Sequence, residues 1–385
     1  MHLVIEQQLP CAAEVAWVYL TSPPHMTHWS LAAVKPLAVG DGGGMDGVGA
    51  LREITIESLG RKLAFREVIE HSEPTVHLVY RAFAGLPVRH HRGEITLRSR
   101  PGGTHLRWAV SAEFLIPGSR WVALPILEQQ LRESLRRLAQ CVRSKPALPL
   151  ATPRSLDERQ ELPALYPLAE KCHAEQREMA DALEAREDPK YVFTRVYQYV
   201  TEAQLEACRT GRARHPAWVL RLIPHFHAYY TDNLRKWRGP HPELTEVHWA
   251  EAFQSMEEAR KKPTFKALTT GLLRGVAAHV EEDLPRALAE VYLKHYVGRC
   301  DYVRFRADFL LMASIFHQSA ARLLAALPPS ALPHVVHVLR AVAPVELQDL
   351  FLARYYDLAR RRREAFERGA RLAVMLGARQ QAVNS

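Results

Sequence analysis

The pattern of hydrophobic and polar positions changes character near residue 145. Before this point, short segments alternate with period two and are separated by glycine-rich turns, a pattern typical of strands. The strands predicted from it are residues 3–8, 49–56, 62–70, 75–83, 89–98 and 104–115, and the predicted helices are residues 12–20 and 121–142. After residue 145, a 3.6-residue period dominates and predicts helices with almost no strand.

The last predicted strand shows the alternation most clearly. One face of this strand carries the apolar residues Leu106, Trp108, Val110, Ala112 and Phe114. The other face carries more polar residues, which is typical of an antiparallel sheet with one covered face. The helix at residues 121–142 carries a leucine stripe. We therefore expect this helix to cover the apolar face of the sheet.

Residues 161–375 form a series of candidate helices, of which the last three are 301–326, 331–341 and 344–375. Helices without strands can bury a core only against one another, so this half is predicted to be all-α. A proline-rich stretch at 146–160 disfavours helix and is predicted to be a linker. The predicted organisation is an α+β domain at residues 1–145 followed by an all-helical domain at residues 161–385.

Composition narrows the class of protein. The 385 residues are 48% hydrophobic and 24% charged, values typical of a soluble globular protein. No run of about 18 uncharged apolar residues is present, so no transmembrane helix is expected, and the N-terminus lacks a secretory signal pattern. Five scattered cysteines without metal-ligand spacing favour a reducing, cytoplasmic location. The net charge of +9 is divided between both halves, +4 in residues 1–145 and +5 in the remainder.

The first half resembles a known superfamily. The resemblance rests on the segment from Ala13 to Pro23, followed by Trp29, and on three short segments at residues 47–52, 67–70 and 103–108. These residues resemble the START-like helix-grip superfamily (SRPBCC), which includes polyketide cyclases/dehydrases and lipid-transport proteins. The resemblance implies that the sheet wraps the long helix and leaves a cavity. It also implies that a hydrophobic small molecule, lipid or polyketide-like compound binds there.

Five residues are the candidates for lining that cavity: Trp29, Tyr80, Trp108, Val110 and Phe114. Aromatic side chains give apolar walls, and Tyr80 adds a hydroxyl group. The alternative is that these side chains simply fill a core. Alternation sends only half of the polar run at residues 89–92 inward, and we expect the run to form a solvated edge or face. The sequence therefore identifies no general acid or base here.

The second half contains an unusual polar pair. His279 and Asp283 are four residues apart on an otherwise apolar helix face, and a buried carboxylate needs a partner or a cation. Three interpretations stay open: Asp283 caps the helix that starts near Pro285, the pair binds a divalent metal with a third ligand, or the pair acts as an acid and base. His227 lies on an apolar stripe of another helix and is the candidate third ligand.

A second resemblance involves the same region. The elements that carry it are Phe193 to Tyr197, His225 to Tyr230 and the run from Ala278 to Leu288 with its His-x-x-x-Asp-Leu-Pro pattern. They resemble a bacterial all-helical family of unknown function over about residues 165–325. The resemblance implies a helical fold and no established reaction.

The densest positive charge is the run Arg360–Arg363 near the end of the chain. Such a run is able to contact an anionic membrane surface weakly, or to complete an ordinary terminal helix. No nucleic-acid-binding motif accompanies it, so no specific nucleic acid is expected. The main hypothesis is binding of a hydrophobic ligand in the first domain with a helical accessory domain. The alternative is an enzyme, either a cyclase/dehydratase in the cavity or a metal-dependent catalyst around His279 and Asp283.

Overall fold

The computed structural model describes residues 1–58, 61–86, 88–114, 120–143, 156–261, 264–312, 315, 322 and 358–384. The chain divides into two compact units. Unit 1 contains Met1–Leu156 and Gly298–Ala307, and unit 2 contains Asp157–Val297 and Asp308–Ser385. Most of the predicted linker, at residues 146–155, lies outside the described residues, as do the helix predicted at 331–341 and the first part, 344–357, of the helix predicted at 344–375.

Unit 1 is built on an antiparallel sheet of seven strands within the described residues. The strands are β1 (His2–Leu9), β2 (Ala33–Ala38), β3 (Leu51–Ser58), β4 (Arg61–Glu73), β5 (His77–Ala84), β6 (Val88–Arg100) and β7 (Gly103–Phe114). Their spatial order is β1-β7-β6-β5-β4-β3-β2. The chain therefore forms a meander from β2 to β7, and β1 pairs with the last strand.

Strand β2 is the one element of this sheet that the alternation pattern misses. Its residues are mostly exposed, and Pro36 in its middle argues against a strand in the sequence. The structure explains the exception, because β2 pairs only with β3 and forms an edge of the sheet. The ladder also shifts in register between Pro36 and Ala38. Proline is tolerated there because its missing N–H is not needed by a second neighbour.

Three helices accompany the sheet: α1 (Ala13–Thr21), α2 (Pro23–Met26) and α3 (Arg120–Cys141). The leucine stripe of α3 faces the core as predicted: Leu135 and Leu138 have no exposed surface, and Leu124, Leu127 and Leu131 are partly buried against the same core. Leu135 and Leu138 belong to one core with Trp17 and Leu106. The predicted α+β fold, an antiparallel sheet packed against a long C-terminal helix, is confirmed for this unit.

The glycine-rich turn at residues 40–47 lies between β2 and β3, two paired strands, and so it is part of a β-hairpin connection. Its first residues form a short 3₁₀ helix, Asp41–Gly43. Asp41 accepts hydrogen bonds from the backbone N–H of Asp301 and from the guanidinium of Arg304. Gly42 in turn donates its N–H to the Asp301 carboxylate at 2.6 Å. The segment Gly298–Ala307 is thus part of unit 1 although helices of unit 2 precede it in the chain.

Unit 2 is helical in its described residues, as the 3.6-residue period predicts. The helices are α4 (Leu162–Glu184), α5 (Lys190–Arg209), α6 (Pro216–Arg238), α7 (Val247–Lys261), α8 (Phe265–Ala277), α9 (Leu284–His295) and α10 (Leu358–Asn384). Short 3₁₀ turns lie at Arg159–Glu161 and Pro242–Leu244. The six residues between α8 and α9, Ala278–Asp283, form a π-helix.

Candidate functional site

A cavity of about 120 Å³ lies in unit 1 beneath the sheet. It is several times larger than the roughly 10–15 Å³ that one water molecule needs. Residues of β3 to β7, of α3 and of the loop around Trp29 line it, and most of the lining is apolar. The cavity therefore has the composition of a site for a small hydrophobic molecule.

Four of the five predicted cavity residues line this space: Trp29, Tyr80, Trp108 and Val110. The rings of Trp29 and Trp108 meet edge to face, with centroids 6.3 Å apart. Trp29 also donates its indole N–H to the carbonyl of Tyr19 at 2.8 Å, which holds the ring in the wall. The loop that carries Trp29 is therefore anchored to α1.

The placement of Phe114 differs from the prediction. This residue is the last of β7, is half-buried, and pairs with Val88 at the end of the ladder. It is not among the described residues that line the cavity. Alternation correctly assigns a side chain to a face of the sheet. It does not say how far along the strand the cavity extends, and here the cavity ends before Phe114.

The least expected feature of the cavity is a buried ion pair. Arg52 on β3 and Glu67 on β4 are directly opposite each other in the strand register, and their side-chain atoms are 2.5 Å apart. Their side chains are only 3% and 5% exposed. A second guanidinium nitrogen of Arg52 lies 3.9 Å from the sulfur of Met26. Its Nε atom is buried and has no hydrogen-bond partner among the described residues.

Burial controls the electrostatics of this pair. The pKa of Glu67 is raised from its ordinary value because desolvation outweighs the attraction of Arg52. An ion pair this far from water is held together by strong attraction but requires a large desolvation free energy. It is therefore weak evidence for stability, and its position in an otherwise apolar cavity directs attention to ligand binding.

Tyr80 presents a hydroxyl group in the same region. Its oxygen accepts the indole N–H of Trp108 at 2.9 Å, so its own hydrogen is left to donate elsewhere. Burial raises the pKa of Tyr80 far above its ordinary value, and the charge of Glu67 adds to the shift. The ring lies over Gly93 on β6, where even a methyl side chain would overlap it. Gly93 is thus the residue that makes room for Tyr80.

His91 is a third polar group at this end. Its Nδ1 accepts the backbone N–H of Ala82 at 3.1 Å, which places the ring hydrogen on Nε2. Burial, and secondarily the charge of Arg81, lower the pKa of His91 to about 4, so the ring is neutral at pH 7. The predicted solvated face of residues 89–92 is therefore wrong for His91, which lines the cavity.

Sequence reasoning missed Arg52, Glu67 and His91 as site residues, although the first two carry a readable signal. Arg52 is in phase with Ile54 on β3, and Glu67 is in phase with Phe65 on β4. Opposite charges on the apolar faces of two successive strands predict a buried cross-strand pair. His91 is in phase with the buried positions of β6, so alternation alone sends it inward.

In unit 2, the π-helix places His279 and Asp283 in the interior, with 4% and 0% exposed surface. His279 Nδ1 donates to Asp283 Oδ2 at 2.9 Å. The same carboxylate accepts hydrogen bonds from the Trp249 indole at 2.9 Å, the Arg286 guanidinium at 2.6 Å and His248 at 3.3 Å. Asp283 makes no side-chain cap to α9, so the capping interpretation is wrong in that respect.

These contacts determine the charge state of Asp283. Burial alone would raise its pKa, but hydrogen bonds from His248 and His279 and the charge of Arg286 outweigh burial and hold the pKa well below its ordinary value. Both carboxylate oxygens already accept two hydrogen bonds each. Asp283 is therefore a saturated anion that orients its neighbours, and direct ligation of a metal would require those donors to leave.

His279 is held by aromatic rings on several sides. Its imidazole stacks on Phe226 with a centroid distance of 3.4 Å and meets Tyr197 edge to face at 4.8 Å. Burial lowers its pKa despite the opposing effect of Asp283, so the ring is neutral. With the hydrogen on Nδ1, Nε2 is a bare acceptor, and it has no partner among the residues that the structure describes.

His227 on α6 is buried, as its apolar stripe predicts. Its Nε2 lies 3.0 Å from a carboxylate oxygen of Glu175, and its Nδ1 lies 3.4 Å from the side-chain nitrogen of Gln176. The two ring nitrogens of His227 thus bond to Glu175 and Gln176 rather than to Asp283. The structure brings His227 and His279 to one common neighbour on α5, Tyr197.

Two family models match the chain. Residues 170–383, more than half of the chain, match the model described as "Family of unknown function (DUF5995)". The chain belongs to the DUF5995 family. Residues 1–143 of this DUF5995 protein match the model "Polyketide cyclase / dehydrase and lipid transport", which covers the whole sheet and α3. Both resemblances seen in the sequence are thereby confirmed.

Among solved structures, the DUF5995 chain is similar to protein TTHA0849 from Thermus thermophilus, at 13% identity over 37% of this chain and 97% of that one, with a TM-score of 0.32. It is also similar to Zhui aromatase/cyclase from Streptomyces sp. R1128, at 14% identity over 36% and 92%, again with a TM-score of 0.32. Protein MLL2253 from Mesorhizobium loti matches at 19% identity over 38% and 100%, with a TM-score of 0.31. No curated protein matches the DUF5995 chain.

The arginine run of the DUF5995 region lies in α10. Arg362 is buried, donates to the carbonyl of Phe309 at 3.1 Å, and has its guanidinium 4.3 Å above the Phe309 ring. Arg360 pairs with Glu364 on the same helix. Arg360 and Arg362 therefore make their contacts with other residues of unit 2. No helix among the described residues is long and apolar enough to cross a membrane.

Proposed function

We propose that unit 1 binds an apolar small molecule that carries a hydrogen-bond-accepting oxygen, such as the carbonyl or phenol group of a polyketide-like compound. The observation that carries this proposal is the buried Arg52, whose Nε–H lacks a partner among the described residues of an otherwise apolar cavity. An unsatisfied buried donor costs about 1–3 kcal/mol, and a ligand oxygen would remove that cost.

Two further polar groups at this end, Tyr80 and His91, are donors as well. The Tyr80 hydroxyl hydrogen is free because its oxygen accepts from Trp108, and His91 carries its hydrogen on Nε2. Arg52 also lies 5.9 Å from the centre of the Tyr80 ring, so two of these donors are close to each other. Because the carboxylate of Glu67 is already paired with Arg52, the remaining donors are complementary to an oxygen of the ligand.

The same chemistry favours binding over catalysis. Cyclisation or dehydration requires a group that removes a proton, and such a base needs a free lone pair near the ligand. Glu67 is paired with Arg52, and the Nδ1 atom of His91 accepts a backbone hydrogen bond. No other described lining residue is a base free of these constraints. The match to the polyketide cyclase / dehydrase and lipid transport model supports a hydrophobic ligand in this unit.

The test compares two probes of similar shape, 1-naphthol and naphthalene, by quenching of tryptophan fluorescence in the full chain, since Trp29 and Trp108 line the cavity. We expect 1-naphthol to bind at least about 10-fold more tightly, and Tyr80→Phe to reduce that preference. Arg66→Met is the matched control, because Arg66 lies on β4, is exposed, and pairs with Glu53. Equal affinity for both probes, or no quenching by either, would refute the proposal.

A further inference from the structure

Two buried histidines of unit 2 share the same arrangement of hydrogen bonds. In each, one ring nitrogen is bonded to a carboxylate: His279 Nδ1 to Asp283 at 2.9 Å, and His227 Nε2 to Glu175 at 3.0 Å. Because an ionised carboxylate only accepts hydrogen bonds, the ring hydrogen must lie on that nitrogen. The second nitrogen of each ring is then an acceptor. His279 Nε2 has no partner among the described residues, and His227 Nδ1 lies 3.4 Å from the side-chain nitrogen of Gln176.

The region of these two acceptor nitrogens contains three unsatisfied buried atoms. His279 Nε2, the Tyr197 hydroxyl and the Gln176 side-chain oxygen are all buried and have no hydrogen-bond partner within the described part of the chain. Tyr197 is the common neighbour, with its ring 4.8 Å from that of His279 and 6.2 Å from that of His227. Buried polar groups are nearly always satisfied, so a cluster of three indicates an occupant.

The occupant must suit two neutral imidazoles and neutral oxygen ligands. Imidazole is a preferred ligand of zinc, copper and other divalent transition metals, and a ligating histidine usually donates its other N–H to a carboxylate. The π-helix that carries His279 is a rare element that occurs frequently at functional sites. A half-turn of the Gln176 amide would exchange its nitrogen for its oxygen beside His227.

We propose that unit 2 binds one divalent transition-metal ion through His279 Nε2 and His227 Nδ1, with Tyr197 and Gln176 completing the site. Asp283 and Glu175 are positioning residues, which hold the two imidazoles in the ligating tautomers. This site is separate from the ligand cavity of unit 1 and does not depend on the function proposed for it.

A second group of potential ligands lies nearby and is less suitable. Ligand atoms of Glu246, His248 and Asp283 fall within 4.8 Å of one another. However, the guanidinium of Arg286 donates to both Glu246, at 2.8 Å, and Asp283, at 2.6 Å. A cation already neutralises these carboxylates, so a metal ion would have to displace it. This group provides a matched control.

The experiment uses the full chain, stripped with a chelator and titrated with Zn²⁺ by calorimetry and with Cu²⁺ by electron paramagnetic resonance. We expect one ion per chain and a Cu²⁺ spectrum with couplings from two imidazole nitrogens. The spectroscopic result is obtained on the unsubstituted protein and so does not depend on the folding of any variant. Absence of binding, or coupling to fewer than two imidazoles, would overturn the proposal.

Variants then locate the ion. His279→Gln and His227→Gln should each abolish stoichiometric Zn²⁺ binding, and His248→Gln should leave the affinity unchanged. Glu175→Gln changes a carboxylate that is about half exposed, at 45%, and should weaken binding about 10–100-fold without altering the fold. Loss of binding in His248→Gln together with retention in His279→Gln would assign the ion to the other group and overturn the proposal. Circular dichroism verifies that each variant is folded.

Discussion

The substitution Arg52→Met tests the electrostatic description of the unit 1 cavity. Methionine keeps much of the length and apolar volume of the arginine side chain but leaves Glu67 without its ion-pair partner. Because the two side chains are only 3% and 5% exposed, the pair belongs to the buried class. Removing one partner of a buried pair costs about 3–5 kcal/mol, whereas an exposed pair contributes at most about 1 kcal/mol.

The double variant Arg52→Met/Glu67→Leu removes both charges and should recover most of this loss, because no charge then remains buried. The cost of the single variant should also depend on pH. The folded-state pKa of Glu67 is raised by burial, so the folded state binds this proton more tightly than the unfolded state. The contribution of Glu67 to the free energy of unfolding therefore falls as the pH rises from the ordinary glutamate pKa through the raised pKa of the folded state. For the same reason, the loss of stability caused by Arg52→Met should become smaller as the pH is lowered through that range.

The assay is urea unfolding of the full chain at pH 7 and pH 4.5, followed by tryptophan fluorescence. Arg66→Met is the control, since this exposed arginine pairs with Glu53 on the same two strands. We expect a loss of about 3–5 kcal/mol for Arg52→Met at pH 7 and less than about 1 kcal/mol for the control. A loss for Arg52→Met similar to that of the control, or a double variant as unstable as the single one, would refute the reasoning.

Three further predictions concern other groups. Gly93→Ala should destabilise unit 1 by about 1–3 kcal/mol in thermal unfolding, and Tyr80→Ala should relieve that cost because the added methyl overlaps the Tyr80 ring. Because the pKa of His91 is about 4 in the folded state, the unfolded state takes up the proton at a higher pH than the folded state does. The free energy of unfolding of the wild type should therefore decrease by about 1–2 kcal/mol through this group as the pH falls from 7 to 5, and that of His91→Gln should decrease correspondingly less. Burial raises the pKa of Cys208 to about 12, so iodoacetamide followed by mass spectrometry should modify the half-buried Cys141 well before Cys208; equal rates would contradict this.

Several features of unit 1 could be predicted from sequence because they depend on local periodicity. Alternation correctly assigned Trp108 and Val110 to the covered face, and the leucine stripe correctly assigned α3 to the core. Alternation did not predict strand β2, because Pro36 disfavours a strand. The structure allows this proline because β2 is an edge strand that pairs only with β3. Alternation also gave no register, and the pairing of Arg52 with Glu67 becomes visible only when two strands are aligned.

Unit 2 shows a different limit. The four-residue spacing of His279 and Asp283 predicted their contact, because neighbouring turns of a helix bring such residues together. It could not predict that the backbone there forms a π-helix, which depends on packing around the whole turn. The proximity of Tyr197 to His279 and His227 is likewise tertiary, since these three residues lie on different helices that are far apart in the sequence.

The segment Gly298–Ala307 has a consequence for the order in which the protein is made. This stretch belongs to unit 1, where Asp301 and Arg304 bond to the glycine-rich turn at Asp41 and Gly42. Emerging chains fold from the N-terminus as residues leave the ribosome. The sheet of unit 1 can therefore form early, but its hairpin turn gains these partners only after helices α4 to α9 have been synthesised. A gene fragment that ends at residue 156 would encode the strands without the last segment of their own unit.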